Sequence, residues 1–334
     1  MKSDPLLDPF QLRHLTIRNR IISTAHAPNL VEDGHPRDQY RLYHEEKAKG
    51  GVGLTMVGGS TNIAPDSPSV FGQLYAGDDS IVPWFQRLTE GVKSLGAAIM
   101  CQITHMGRRT AWDDGHWLPV IGPSGRRERA HRAFPKVMER EDIARVIDDF
   151  AAAARRCQEG GFDGIELLSH SHLLGQFLSP LVNDRDDDYG GSLENRLRLT
   201  LEVLAAVRET VGPEMILGIR MTGDELQEAG LSPDECLAVA RILKDTGQVD
   251  FLNILAGAPY DDLGLAARPE PLHAQALVAE LAIEAFQRAV LPGLAGVDQR
   301  GLDALVDDPL QQRPRHELRA VVGAQIKRRT ALAD

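Results

Sequence analysis

Residues Arg20 to Leu30 read RIISTAHAPNL. The first half is an aliphatic, β-branched run with strand character. The second half stands where a dinucleotide-binding doubly wound sheet carries its glycine-rich phosphate turn. No GxGxxG follows, so that architecture is disfavoured. Small and polar residues, Ala25, His26 and Ala27, end the run instead, as at the C-terminal end of a barrel strand.

Five further runs share its character: GLTMVGG from Gly53, AAIMCQI from Ala97, GIELLS from Gly164, MILGIRM from Met215 and DFLNILA from Asp250. Each is apolar on both faces, as expected of a parallel strand buried on both sides. Helical stripes lie between them. Ile143, Val146, Ile147, Phe150, Ala154 and Cys157 form one, stopped by Gly160-Gly161; Leu197, Leu201, Leu204, Val207 and Val211 form another. Phe85, Leu88, Val92 and Leu95 precede Gly96, and Cys236, Leu237, Ala240 and Leu243 precede Gly247. Strand alternates with helix and no block of antiparallel hairpins is evident. The expected fold is α/β, a (β/α)₈ TIM barrel of which six βα units are recognisable. Its chemistry belongs at the strand ends: Ala25 to Ala27, Gly58-Gly59, Gln102 to His105, Ser169 to His172, Arg220 and Asn253.

The net charge of −11 over 334 residues argues against nucleic acid or an anionic membrane as partner. No stretch approaches the ~20 apolar residues of a membrane span, and MKSDPLLDPF lacks a signal-peptide core. Cys101, Cys157 and Cys236 are scattered, so neither a disulfide framework nor a cysteine-ligated cluster is expected, and the reducing cytoplasm is the expected location.

Several motifs carry a resemblance. DDDYGGSLENR (Asp186 to Arg196), preceded by QFLSPLVNDR, resembles a signature of the Old Yellow Enzyme family of FMN-dependent oxidoreductases. DPFQLRHLTIRNRI, GGVGLTMVGG and QITHMGRR match in order, and the resemblance covers roughly residues 5 to 262. The chain is most similar to the branch of trimethylamine and dimethylamine dehydrogenases and dienoyl-CoA reductases. GIEL…HLLGQFLSP is also similar to demethylases of N-methylated amino acids and betaines.

The resemblance implies that Gln102 hydrogen-bonds the flavin pyrimidine edge. It implies that Arg220 lies near flavin N1 and C2=O, where a guanidinium stabilises the charge of the reduced ring. Structural alternatives stand beside these roles: a rim hydrogen bond for Gln102, an ion pair for Arg220. Ala25, His26 and Ala27 fall where the first strand passes the flavin. Ala27 stands where the trimethylamine dehydrogenase pattern has the attaching cysteine, so FMN is expected to bind non-covalently. His26 either approaches the flavin or caps the strand. Gly59 lets backbone approach the ring or simply turns the chain. His105 is a site residue or a satisfied structural histidine. YGGSLENR reads as structural, a Gly-Gly turn followed by Ser192 as helix N-cap.

SHSHLLGQF (Ser169 to Phe177) holds two histidines. Zinc would need a third ligand, and Asp184 and Asp186 to Asp188 lie in a charged loop, so no metal is expected. No nucleophile elbow supports a triad. In the family this segment projects side chains over the flavin to bind the substrate. Aligned from Gln176-Phe177, His170 takes the middle polar position, His172 the tyrosine position and Leu167 the first. The grip on an enone oxygen is therefore incomplete, which shifts the expectation toward an amine. His170 and His172 are the expected catalytic residues, with rim packing as the alternative.

After about Gly264 the resemblance ends. The strands that would supply the phosphate site, and the iron–sulfur cysteines of long family members, are not evident. The expected division is a barrel domain over 1–264 and an atypical tail over 265–334, arising from an interrupted reading frame or from divergence. The expected function is FMN-dependent hydride transfer from NAD(P)H or an N-methylated amine to an acceptor, without an iron–sulfur cluster. The partner is a small-molecule substrate, and oligomerisation is left open. The competing expectation is a truncated, non-catalytic remnant with weak or no FMN binding. A cofactor-free aldolase would carry a Schiff-base lysine at a strand end, and none of the six strands has one.

Overall fold

The computed structural model describes residues 4–67, 72–109, 118–128 and 134–256. Chain contacts divide the protein into Met1–Ala274 and Gln275–Asp334. The second unit, the expected 264/265 boundary and the proposed tail all lie outside the described residues.

The elements in chain order are β1 (Phe10–Leu12), β2 (Leu15–Ile17), β3 (Ile22–Ser23), α1 (Asp38–Lys49), β4 (Leu54–Asn62), α2 (Val82–Ser94) and β5 (Ala98–Thr104). Then come β6 (Ile121–Gly122), β7 (Lys136–Val137), α3 (Arg140–Glu159), β8 (Gly164–Ser169), α4 (Leu173–Leu178), α5 (Leu193–Val211), β9 (Ile216–Asp224), α6 (Pro233–Asp245) and β10 (Phe251–Ala256). The six expected strands form one parallel sheet in the order β3-β4-β5-β8-β9-β10.

That sheet is curled into part of a barrel. Arg220 on β9 donates from Nη1 to the carbonyl of Ala25, just beyond β3, at 3.0 Å. Four strand spacings separate β3 from β9, roughly 19 Å if the sheet were flat, farther than an arginine reaches. The concave face starts with an apolar layer of Leu54, Met56, Ala98, Met100 and Ile216, packed with Ile17 and Ala25. Phe10, Leu12 and Leu15 close over this layer from the antiparallel hairpin β1–β2. This single hairpin precedes the strand–helix alternation and was not among the expected elements. Its strands are three residues each, too short for alternation to stand out.

The helices cover the convex face. α3 buries Ile143, Val146, Phe150, Ala154 and Cys157, and a capping box of Glu139 and Asp142 starts it. Burying each large apolar side chain of such a stripe contributes about 1.5–3 kcal/mol. α5 starts at the expected N-cap, where Ser192 Oγ accepts from the Asn195 N–H. Arg196 of the same motif bonds the carbonyls of Leu178 and Gly191 and the Glu235 carboxylate, in keeping with a structural role.

One strand departs from expectation. The first run pairs regularly only at Ile22 and Ser23, and Ile22 is 47% exposed. Among the described residues, β3 and β10 each have a sheet neighbour on one side only. An edge strand leaves one flank, with its row of N–H and C=O groups, without a neighbouring strand.

Asp250 joins the hairpin, α5 and β9. It accepts from the Leu217 N–H at 2.8 Å, Arg208 Nη2 at 3.0 Å and Arg13 Nη1 at 3.1 Å. Asp250→Ala is expected to lower unfolding free energy by about 2 kcal/mol, read as a shifted urea midpoint. An unchanged midpoint would contradict this account.

Candidate functional site

Above the apolar layer the concave face becomes polar. Gln102 on β5 stands opposite Glu166 on β8, and Asn253 on β10 stands opposite Arg220 on β9. Gln102 Nε2 donates to Glu166 Oε1 at 2.7 Å, and Asn253 Nδ2 donates to Glu166 Oε2 at 2.9 Å. Glu166 is fully buried. Burial raises its pKa, and the charge of Arg220 and the two amide bonds only partly oppose that rise. Sequence reasoning missed Glu166. The signal was present, since it is the one charged residue in GIELLS, at the register position of Gln102.

Arg220 and Gln102 thus come together, with Ala25 bonded to Arg220 and buried. Arg220 Nε is buried and has no hydrogen-bond partner among the described residues. Gln102 also accepts at Oε1 from the Ser60 N–H at 3.1 Å. Its amide therefore braces the end of β4, where Gly58, Gly59 and Ser60 all have positive φ and the β4–β5 register shifts. A Cβ on Gly59 would lie 2.1 Å from the His26 carbonyl carbon. The chain's own His26–Ala27 backbone occupies the space above Gly59, which revises the expected reason for a glycine there.

His26 and Ala27 are not gathered with the others. Ala27 is exposed. The His26 ring is engaged by α1, with Nε2 bonded to the Tyr43 hydroxyl and lying 3.2 Å from Lys47 Nζ.

The two histidines of SHSHLLGQF also differ. His170 to His172 form a tight turn: the His172 N–H bonds the His170 carbonyl at 2.7 Å, and Ser171 has φ +56°. His172 is buried. Arg109 Nη1 lies 3.0 Å from its Nε2, and Thr104 Oγ1 lies 3.0 Å from its Nδ1. A guanidinium only donates, so Nε2 accepts and the proton sits on Nδ1. Both ring nitrogens of the expected catalytic His172 are committed within the protein. His170 is half-buried. Burial, then the charges of Arg220 and Arg109, push its pKa down to about 4. Burial, then the charge of Arg109, holds His172 well below the usual histidine value.

His105 is structural. It is fully buried, its Nε2 bonds Asp66 at 3.0 Å, and its Nδ1 accepts from the Gly107 N–H. Burial opposes the Asp66 charge, yet His105 and Arg145 outweigh it and bring the carboxyl down to about 2. Gln176 stitches the β5 and β8 loops together. It donates to the carbonyls of Met106 and Ser171 and accepts from the Arg108 N–H.

The profile of the NADH:flavin oxidoreductase / NADH oxidase family matches residues 5–263. The chain belongs to this family. Family members and curated relatives are oxidoreductases, and the Old Yellow Enzyme resemblance holds. A Rhizobium meliloti protein named "Probable N-methylproline demethylase" is 53% identical over 265 residues, 79% of this chain and 39% of that protein. A multifunctional alkene reductase/demethylase of Caballeronia cordobensis is 47% identical, over 80% of this chain and 39% of its own length. This family member thus spans about two fifths of these relatives. The solved structure of morphinone reductase superposes with a TM-score of 0.70 at 28% identity, covering 83% of this chain and 78% of that one. The superposition agrees with a barrel architecture that is incomplete over the described residues. Among the described residues no helix is long and apolar enough to cross a membrane.

The two lowered histidines set a pH dependence. The folded protein binds fewer protons at these rings than the unfolded chain, whose histidines titrate near 6.5. Their contribution is complete above that pH and is lost as pH falls through it toward 4. His172→Gln should flatten the loss of urea stability between pH 6.5 and 5 by at most about 1.4 kcal/mol per pH unit. Parallel curves for the two proteins would refute the assignment.

Proposed function

We propose that the strand ends bind FMN non-covalently and serve hydride transfer from NAD(P)H or an N-methylated amine to an acceptor. The carrying observation is Arg220, a half-buried arginine on the concave face whose buried Nε lacks a partner among the described residues. A donor left unpaired in a buried place costs about 1–3 kcal/mol, and an anionic ring edge offers what it lacks. The residues therefore fit a flavin: Arg220 would face its electron-rich edge, and Gln102 has a second amide N–H to offer. Bound flavin would supply the two-electron chemistry.

The chain's own groups favour an amine as substrate. Leu167, where the family places the first polar group, is apolar and fully buried, so an enone oxygen loses one of its two holders. His170 is neutral at physiological pH because burial and two arginines depress its pKa. A neutral imidazole accepts a hydrogen bond from an amine N–H without charge repulsion. Two relatives with demethylase in their names support the same direction. His172, tied to Arg109 and Thr104, holds the turn that presents His170.

The remnant reading has its own supporting observation, the one-sided edges β3 and β10. One experiment separates the two. Purified chain is mixed with FMN, passed through a desalting column and scanned in the visible range. The enzyme reading expects retained flavin that bleaches anaerobically with NADH or N-methylproline. It also expects Arg220→Ala to weaken FMN binding at least about tenfold, the loss of a charge-assisted contact. Folded protein without retained flavin would leave the remnant reading in place.

A further inference from the structure

On the convex side of β3, α1 brings together a group that the flavin site does not use. Lys47 Nζ lies 3.2 Å from His26 Nε2, 3.1 Å from Ser23 Oγ and 4.0 Å from the centre of the Tyr43 ring. His26 Nδ1 lies 2.8 Å from the Thr24 carbonyl, so it carries the proton, and the Nε2 lone pair accepts from the Tyr43 hydroxyl. Lys47, Ser23 and Asn19 form the polar side of an open cavity of about 530 Å³, walled by Leu7, Ile21 and Val52.

Burial pushes the Lys47 amine down to about 8. Lys49, two residues further along the same helix, is held up by Glu46. No other basic residue lines the cavity among the described residues. An anion site would gather cations and keep the amine charged. This one does the reverse, since it favours a free lone pair.

We propose that Lys47 is a carbonyl-capture site whose amine condenses reversibly with a small aldehyde of apolar body seated against Leu7, Ile21 and Val52. The Nζ lone pair attacks the carbonyl carbon, a C–N bond forms, and the C=O π electrons move to oxygen. Both Nζ protons pass to that oxygen, and the C–O bond breaks to release water. The product is an imine; addition of water reverses the step, and no oxidant or reductant takes part. The site stands apart from the flavin reading and does not depend on it.

The test treats the full chain with pentanal and sodium cyanoborohydride at pH 7.5 and maps N-pentyl groups by peptide mass spectrometry. Lys47 is expected to carry at least about tenfold more label than Lys49, following the larger free-base fraction. Label at Lys49 equal to or above that at Lys47 overturns the proposal. Ile21→Trp changes a residue that is already 38% exposed and fills the cavity. It should cut label at Lys47 severalfold and leave Lys49 unchanged. Equal label at Lys47 in this variant would remove the cavity from the account and refute the proposal as stated.

Discussion

The buried carboxylate of Glu166 constrains more of the site than any other group. Each of its oxygens takes an amide N–H, one from β5 and one from β10, so three strands of the curled sheet converge on one side chain. The effect then spreads. Gln102, held by Glu166, braces Ser60 at the end of β4. Arg220, whose charge opposes the desolvation of Glu166, reaches across the sheet to Ala25. Charge buried at this depth is tolerated only when its hydrogen bonds are complete. The polar layer therefore fixes the curl, and the curl places Arg220 and His170 above it.

A second set of bonds fixes the loops rather than the strands. Thr104 meets His172, the Leu173 N–H meets the His105 carbonyl, and Gln176 grips both loops. The ends of β5 and β8 therefore behave as one piece. The histidine that bonds internally at both nitrogens supports the turn, and the half-buried one is presented by it.

Much of this was legible in the residues. The strands were readable because a parallel strand covered on both sides leaves an unbroken apolar run, as in GIELLS and AAIMCQI. The helices α2, α3, α5 and α6 were readable from aliphatic stripes ended by glycine. α1 was not, because its buried face is Tyr40, His44, Glu45 and Ala48, helical in spacing but not apolar in type. That Gln102 and Arg220 both belong to strand ends on the site side was implied by family likeness. The place of Glu166, which stands between Gln102 and Asn253, was not, since a single charge within a strand run announces nothing until register is known. The different fates of His170 and His172 depend on Thr104 and Arg109, which reach the turn from the end of β5 and the loop after it and leave no mark on local spacing.

The three successive left-handed residues at the end of β4 carry a consequence for how this protein can diversify. Gly58 and Gly59 face backbone and side-chain atoms closer than any Cβ tolerates, and Ser60 holds its φ of +86° under the Gln102 amide. Side chains cannot be exchanged freely at such positions without moving the strand. This part of the rim is closed to gradual change by point substitution. New ligand preferences would have to arise at the His170–His172 turn and the β5 loop, where side chains rather than backbone meet the open face.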